Sequence, residues 1–155
     1  MAQLDHFDRR LLAQLQRDAD LTNHELAELV GLSPSAVQRR LARLKAAGVI
    51  QSVVAVVDPA MVDSSMTFIV GLEVERERPE LLARLREWLS HEDAVQQSFY
   101  VTGSVDYIVV VTARDVTAYD ALMARLIADN GNVRRFTTNV ALKVQKRGLF
   151  IPTEE

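Results

Sequence analysis

TNHELAELVGLSPSAVQRRLARLKAAG, residues Thr22 to Gly48, holds two sets of helix start and stop signals in one short stretch. Thr22 is placed to cap a first helix, and Glu25, three residues on, can return a hydrogen bond to the Thr22 backbone N–H. Leu26, Leu29 and Val30 supply the apolar face of that helix. Gly31 breaks it. Ser33 then caps a second helix, and Pro34 takes its first position, where a missing N–H costs nothing and the fixed φ suits the helix. The second helix runs to Ala47, with Gly48 just past its end. Two helices joined by so tight a turn predict a helix-turn-helix.

On the second helix Val37, Leu41 and Leu44 fall at i, i+4 and i+7 and face inward. Ser35, Arg39 and Arg43 therefore lie on the opposite face, with Gln38 on its flank. Between Ser33 and Ala47 the charged residues are Arg39, Arg40, Arg43 and Lys45, all basic, although the whole chain has 21 Asp and Glu against 18 Lys and Arg. Positive charge localised in this way is what a helix entering a DNA groove requires. A solvated basic face is the plainer meaning of such a run. The tight turn, the paired caps and the small Ser35 and Ala36 near the helix start, where recognition helices approach base edges, favour DNA. The candidate contacts to a double-stranded operator are Ser33, Ser35, Ala36, Gln38, Arg39, Arg40 and Arg43.

At 155 residues and 48% hydrophobic, the chain can hold one medium domain or two small ones with real cores. A net charge of −3 argues against a generally basic coat protein, and the lack of cysteine excludes disulfides, thiolate metal sites and a cysteine nucleophile. The opening MAQLDHFDRR is charged, and no apolar run approaches a signal core or membrane span, so a soluble, cytoplasmic protein with no membrane partner is expected. Charge also divides the chain. Residues 1–50 carry seven basic and six acidic side chains, whereas residues 51–155 carry eleven and fifteen, as in a nucleic-acid module joined to an acidic partner domain.

Upstream of the opening stretch, Asp5 can cap a helix whose Phe7, Leu11, Leu12 and Leu15 face inward and which ends near Asp18 to Asp20. Downstream, VIQSVVAVV from Val49 to Val57 is β-branched and nearly continuous in apolar character, and Asp58-Pro59 ends it with a turn signal. Its start reads as a wing and its remainder as a linker strand that must be covered on both sides, for which a second copy of the chain would serve.

After Asp63-Ser64-Ser65, Phe68, Val70, Leu72 and Val74 alternate with Thr67, Ile69, Gly71 and Glu73 in a strand. Pro79 opens a helix with Leu81, Leu85, Trp88 and Leu89 on one face. Val95 to Val101 and Val105 to Ala113 read as two strands separated by Thr102-Gly103-Ser104. Thr117 caps a further helix with Tyr119, Leu122, Met123, Leu126 and Ile127 as its stripe, and Asn130-Gly131 ends it. A final strand from Val133 carries Phe136, Thr138, Val140, Leu142 and Val144 on one side. The order is βαββαβ, the ferredoxin-like pattern. The fold class is therefore α+β: a winged helix-turn-helix over 1–50, a linker strand and turn over 51–63, and a ferredoxin-like domain over 64–155. Ile108 to Val111 is apolar on both sides, so the sheet face without helices must also be hidden, which a sheet-to-sheet dimer achieves. Two-fold symmetry also suits the first domain, because recognition helices about one DNA turn apart (~34 Å) read a pseudo-palindrome.

Three pieces of the chain resemble the Lrp/AsnC family, the feast/famine regulators of bacteria and archaea. They are Leu4 to Ile50, the linker strand ending in Asp58-Pro59, and VTGSVDYIVVV at Val101 to Val111, which is similar to the family's G-x-x-D-Y hairpin. The resemblance implies a DNA-binding domain and a ligand-sensing domain, assembly as dimers and commonly tetramers or octamers, and a small effector, usually an amino acid, bound between dimers. It departs at Ala36-Val37-Gln38, where many relatives have Thr-Pro-Cys or similar, so DNA binding carries over but no operator sequence does.

The hairpin has a chemistry of its own. Asp106 and Tyr107 are adjacent in a strand and point to opposite faces, and a carboxylate in so apolar a run must reach solvent or bind a partner, for which a ligand ammonium group is suitable. Gly103 allows close backbone approach, leaving N–H groups of the Thr102 to Val105 turn to meet a carboxylate. Alternatively Gly103 only makes the turn and Asp106 pairs with a nearby Arg. With the resemblance, the implied effector site is Tyr100, Thr102, Gly103, Ser104, Val105, Asp106 and Tyr107, completed by Asn139 and Val140 on the last strand.

An enzyme is not expected. His6, His24 and His91 are scattered without metal-ligand spacing or a nucleophile partner, Asp106 and Tyr107 face apart, and there is no Walker A loop or G-x-G-x-x-G. No metal and no cofactor are expected. The competing reading is an amino-acid-binding oligomeric sensor or assembly protein without specific DNA binding.

Overall fold

The computed structural model describes residues 3–63 and 66–153, so Ser64 and Ser65 of the turn before the first sheet strand lie outside the described residues. Contacts divide the chain into two compact units, one made by the residues up to Val56 together with those from Arg147 on, the other spanning Val57–Lys146.

The first unit is built from local signals. In α1 (His6–Leu15) the Asp8 N–H donates to Asp5 Oδ1 at 2.9 Å, and the Asp5 N–H returns to Asp8 Oδ2 at 3.1 Å. Two orphan donors of the helix start are thereby satisfied. In α2 (Asn23–Val30) Thr22 and Glu25 do the same at 3.2 and 2.7 Å. Gly31, at φ +76°, ends α2 in the left-handed region that a side chain disfavours. Ser33 caps α3 (Pro34–Ala46) through the Ala36 N–H at 3.3 Å. Leu11, Leu26, Ala27, Val30 and Val37 form the core, with Leu15, Leu21, Leu32 and Leu41 packed around it. One expectation is corrected: Leu29 is exposed and Ala27 is buried in its place. Leu26, Ala27 and Val30 share one side of the helix, and Leu29 lies about 100° round from it.

The chain's last residues also belong to this unit. The side-chain amide of Gln16 donates to the Ile151 carbonyl at 3.0 Å, and its Oε1 accepts the Ile151 N–H at 2.8 Å, as a neighbouring strand would. Thr153 Oγ1 donates to the Arg9 carbonyl at 2.9 Å, and the Arg17 guanidinium sits 5.5 Å from the Phe150 ring centre.

Val49 to Val57 forms no strand, which corrects the expected wing and linker strand. A ladder needs a neighbouring strand, and among the described residues none lies beside this segment, so Val53, Val54, Val56 and Val57 all stay more than half exposed. Asp58 turns the chain into a short 3-10 segment (Pro59–Val62) by accepting the Ala60 N–H.

The second unit carries β1 (Met66–Val74), α4 (Pro79–His91), β2 (Val95–Tyr100), β3 (Tyr107–Ala113), α5 (Val116–Asp129) and β4 (Val133–Val140). The sheet order is β2-β3-β1-β4, and all neighbours are antiparallel. One face packs Phe68, Val70, Leu72, Tyr107, Val109 and Val111 against Leu85 and Leu89 of α4 and Tyr119, Leu122, Met123 and Leu126 of α5. The ferredoxin-like expectation holds, with three local corrections. Asp115, not Thr117, caps α5, accepting the Ala118 N–H at 2.7 Å. A carboxylate two residues earlier is the better cap and takes Thr117 into the first turn. Ile127 lies at the edge of the α5 stripe and is exposed. The last strand stops at Val140, opposite Phe68. The Ala141 N–H still bonds the Thr67 carbonyl, but the strand is not continued past it, and Leu142 and Val144 are exposed.

The other sheet face carries no helix. Phe99 lies opposite Ile108, Ile108 opposite Gly71 and Gly71 opposite Thr137; one step along, Val110, Ile69 and Asn139 form the next row. Phe99, Ile108 and Ile69 are exposed there. Among the described residues no helix is long and apolar enough to cross a membrane.

Candidate functional site

The caps and the buried Val37 and Leu44 fix which side of α3 faces outward. Ser33, Ser35, Gln38 and Arg39 are exposed on that side or beside it, and Ala36 is half-buried. Ser33 and Ser35 hydroxyls lie 3.2 Å apart. Arg39 makes no hydrogen bond or ion pair among the described residues. Ala42, which sequence reading passed over for lack of a polar group, shares the outward face and leaves it unobstructed.

Arg40 and Arg43 are placed differently from Arg39. Arg40 Nη1 donates to Asp5 Oδ2 at 2.6 Å and to Asp8 Oδ1 at 2.8 Å, and its guanidinium lies 5.5 Å from the Phe7 ring centre. Arg43 Nη2 donates to Asp8 Oδ2. The carboxylates raise the Arg40 pKa above its ordinary value. Arg10, from α1, braces the end of α2 by donating to the carbonyls of Leu29 at 2.7 Å and Val30 at 3.2 Å. Those carbonyls have no helical partner, so a cation there is favourable.

The same caps make this unit acid-sensitive. The Asp8 backbone N–H, then Arg40, hold the Asp5 pKa below its ordinary 3.8, and the Thr22 hydroxyl, then the Thr22 N–H, hold Glu25 below 4.5. With folded pKa values depressed, the unfolded chain binds more protons, so this stability is present above the ordinary values and is lost as pH falls through the folded ones. Helix content followed by circular dichroism should melt at a lower temperature as pH drops from about 5 to about 3. The Asp5→Asn, Glu25→Gln variant keeps both caps without the charges, and its acid limb should be shallower. An acid limb as steep as the wild type's would exclude these carboxylates as the cause.

The second candidate region is the hairpin joining β2 to β3. Gly103 has φ +131°, and Thr102, Gly103 and Ser104 are exposed. Val105 folds back over Gly71. A Cβ at Gly71 would lie 2.9 Å from both Val105 Cγ1 and Thr137 Oγ1, so the glycine is what lets the hairpin lie on the sheet. Asp106 is half-buried. Its Oδ2 accepts the Val74 N–H at 2.7 Å, at the point where the β1–β4 register shifts, while its own N–H donates to the Leu72 carbonyl. Asp106 Oδ1 has no hydrogen bond among the described residues. The Tyr100 and Tyr107 rings lie 5.0 Å apart across the strand pair; Tyr107 is buried with a raised pKa, chiefly through desolvation, and Tyr100 is exposed. Asn139, on β4, lies opposite Ile69, one same-face step beyond Thr137, and Val140 lies opposite Phe68. Within one chain the residue brought to the hairpin from β4 is thus Thr137, which the sequence reading missed. Its signal was the alternation that puts 137 and 139 on one face.

Comparison with known proteins bears on both regions. Residues 4–51 match the family model for a winged helix-turn-helix DNA-binding domain, and residues 67–149 match that for the Lrp/AsnC ligand binding domain. The chain belongs to the Lrp/AsnC family. It is 38% identical over 98% of its length to the uncharacterized HTH-type transcriptional regulator y4tD of Sinorhizobium fredii, covering 90% of that protein. The crystal structure of an AsnC family transcriptional regulator from Agrobacterium tumefaciens superimposes with a TM-score of 0.89 at 33% identity, over 96% of this chain and 97% of that one. A transcriptional regulator from Neisseria meningitidis, in complex with L-Met, gives a TM-score of 0.87 at 27% identity, over 97% of each chain.

As an Lrp/AsnC-family member, the chain is a DNA-binding transcriptional regulator with a small-molecule-binding domain, not an enzyme. The helix-turn-helix unit is its DNA-binding half and the ferredoxin-like unit its ligand-binding half.

Proposed function

We propose that this Lrp/AsnC-family regulator reads a pseudo-palindromic operator in the cytoplasm with Ser35, Gln38 and Arg39, and that an amino acid bound at the Gly103 to Tyr107 hairpin alters its occupancy. The observation that carries the DNA half is the outward face of α3: a basic residue with no partner among the described residues, flanked by small and polar side chains. Such a face meets bases and phosphates without first breaking internal contacts. The effector half is supported by the free oxygen of Asp106 beside an exposed glycine turn, and by the Neisseria relative, which holds L-Met. Self-association is supported by the apolar, helix-free sheet face and the unpaired valines of 53–57, both of which a second chain would cover. A dimer would set two α3 helices at the spacing a pseudo-palindrome needs.

The test is a binding titration at several salt concentrations, with a duplex selected by the protein from a random pool compared against random duplex. Specific regulation predicts a steep loss of affinity with salt and a clear preference for the selected duplex. Arg39→Ala should cost about 1 to 3 kcal/mol of that specific binding if the side chain reads a base. Unchanged affinity in the variant removes Arg39 from the interface. Flat binding with no preference, with and without amino acids, leaves a sensor that does not regulate DNA.

A further inference from the structure

Asp8 is a charged side chain with no exposed surface at all, in a unit whose function is to meet a polyanion. It sits on α1, away from the outward face of α3, yet both its oxygens are turned to α3 arginines. The two arginines are held unequally. Arg40 is enclosed by Asp5, Asp8 and the Phe7 ring, and its side chain is only 21% exposed. Arg43 has Asp8 as its partner, and its side chain is 55% exposed. It stands four residues along α3 from Arg39, hence on the same side of the helix.

We propose that Asp8 is a specificity-determining residue of the DNA interface: a buried carboxylate that competes with DNA phosphate for Arg43. The inference rests on the DNA-binding reading and deepens it. Without Arg43 the buried Asp8 carboxylate keeps, among the described residues, only the Arg40 cation, which Asp5 shares, so its charge is poorly compensated and releasing Arg43 is costly. A loosely docked, hydrated phosphate on random duplex does not meet that cost, and Arg43 stays with Asp8. A close, well-registered phosphate at the right site does, and only there does Arg43 add to binding. Arg40, enclosed on three sides, stays inside and fixes the angle of α3 on α1, which makes it a positioning residue. Arg39, with no partner among the described residues, meets DNA without giving up an internal contact.

The salt dependence of affinity counts phosphate contacts, with a logarithmic slope of about 0.9 for each. Asp8→Asn keeps the shape and one of the two acceptor oxygens but removes the charge that holds Arg43. Its affinity for random duplex should rise roughly fivefold to tenfold at moderate salt, with a slope steeper by about 0.9 for each α3 engaged, while the gain on the selected duplex is smaller, so the preference between them falls. Adding Arg43→Gln should return the random-duplex slope to the wild-type value. A folded Asp8→Asn protein with unchanged slope and preference overturns the proposal. Should Asp8→Asn not fold, Arg43→Gln alone decides. Half-exposed Arg43 can be replaced without emptying the core, and the slope should fall by about 0.9 for each α3 engaged on the selected duplex while staying the same on random duplex. Equal loss on both, or loss on neither, overturns it. Wild-type protein that prefers no duplex refutes the DNA-binding reading itself, a result distinct from all of these.

Discussion

Phe68→Ala is expected to lower the stability of the ligand-binding unit by about 3 to 5 kcal/mol, roughly a fifth or more of what a domain of this kind has in total. Phe68 is almost completely buried in the middle of β1, between Val111 on β3 and Val140 on β4. Its ring stacks on Tyr119 of α5 at 4.0 Å between centroids, with planes 9° apart, so one side chain ties the sheet to a helix. Truncation removes that contact along with the buried area, and the cavity left beneath α5 cannot collapse without moving the helix. Tyr119 feels the loss twice, since its hydroxyl is held by Thr138 Oγ1 at 2.5 Å across β4. The chain's one tryptophan makes the measurement selective. Trp88 lies on α4, with its indole N–H bonded to Asp129 Oδ2 at 2.9 Å, so its fluorescence in urea reports this unit. The variant should unfold at a clearly lower urea concentration with an unchanged slope. An unchanged midpoint would show that Phe68 is not the keystone its burial indicates.

How far the sequence could be read depended on how local the physics was. Asp5, Thr22 and Ser33 were legible as caps because a cap is decided within three residues, and all three accept the N–H groups expected of them. The βαββαβ order was legible for the same reason: period-2 and period-3.6 patterns set each element, and the short Thr102 to Asp106 connection left few ways to arrange them. Long-range pairings were not legible. Arg43 shared the outward face with Arg39 on a helical projection and Arg40 was counted beside them for its charge, and only the packing of α1 against α3 gives both Asp8. Nor does anything in the tail's composition announce that Ile151 bonds to Gln16. Thr117 was misread as a cap because Asp115, the stronger one, stood two residues earlier. Val49 to Val57 has the composition of a strand but pairs with no strand among the described residues, and strand formation is a property of pairs.

Asp106→Asn separates the two roles that the hairpin carboxylate can have, and the expected result is a protein that folds normally but no longer responds to its amino acid. Asp106 Oδ2 accepts the Val74 N–H at 2.7 Å where the β1–β4 register shifts, and an asparagine oxygen can do that equally well. Stability without ligand should therefore stay within about 0.5 kcal/mol of wild type. Asp106→Ala, by contrast, strands a half-buried N–H and should cost about 1 to 3 kcal/mol. What asparagine cannot supply is charge. If Asp106 Oδ1 receives a ligand ammonium group, neutralising it removes a charge-assisted hydrogen bond worth about 1.5 to 3 kcal/mol, which weakens binding roughly 10- to 150-fold. A thermal-shift screen of the common amino acids first identifies the effector. At a hundred times its dissociation constant it should stabilise the wild-type protein by about 2.7 kcal/mol, a shift of several degrees. If the variant binds a hundredfold more weakly, the same ligand concentration stabilises it by only about 0.4 kcal/mol, and the effect of ligand on operator occupancy disappears with it. Should Asp106→Asn keep the full shift while Asp106→Ala loses stability, Asp106 is a bulge cap alone, and the ammonium group must be sought elsewhere.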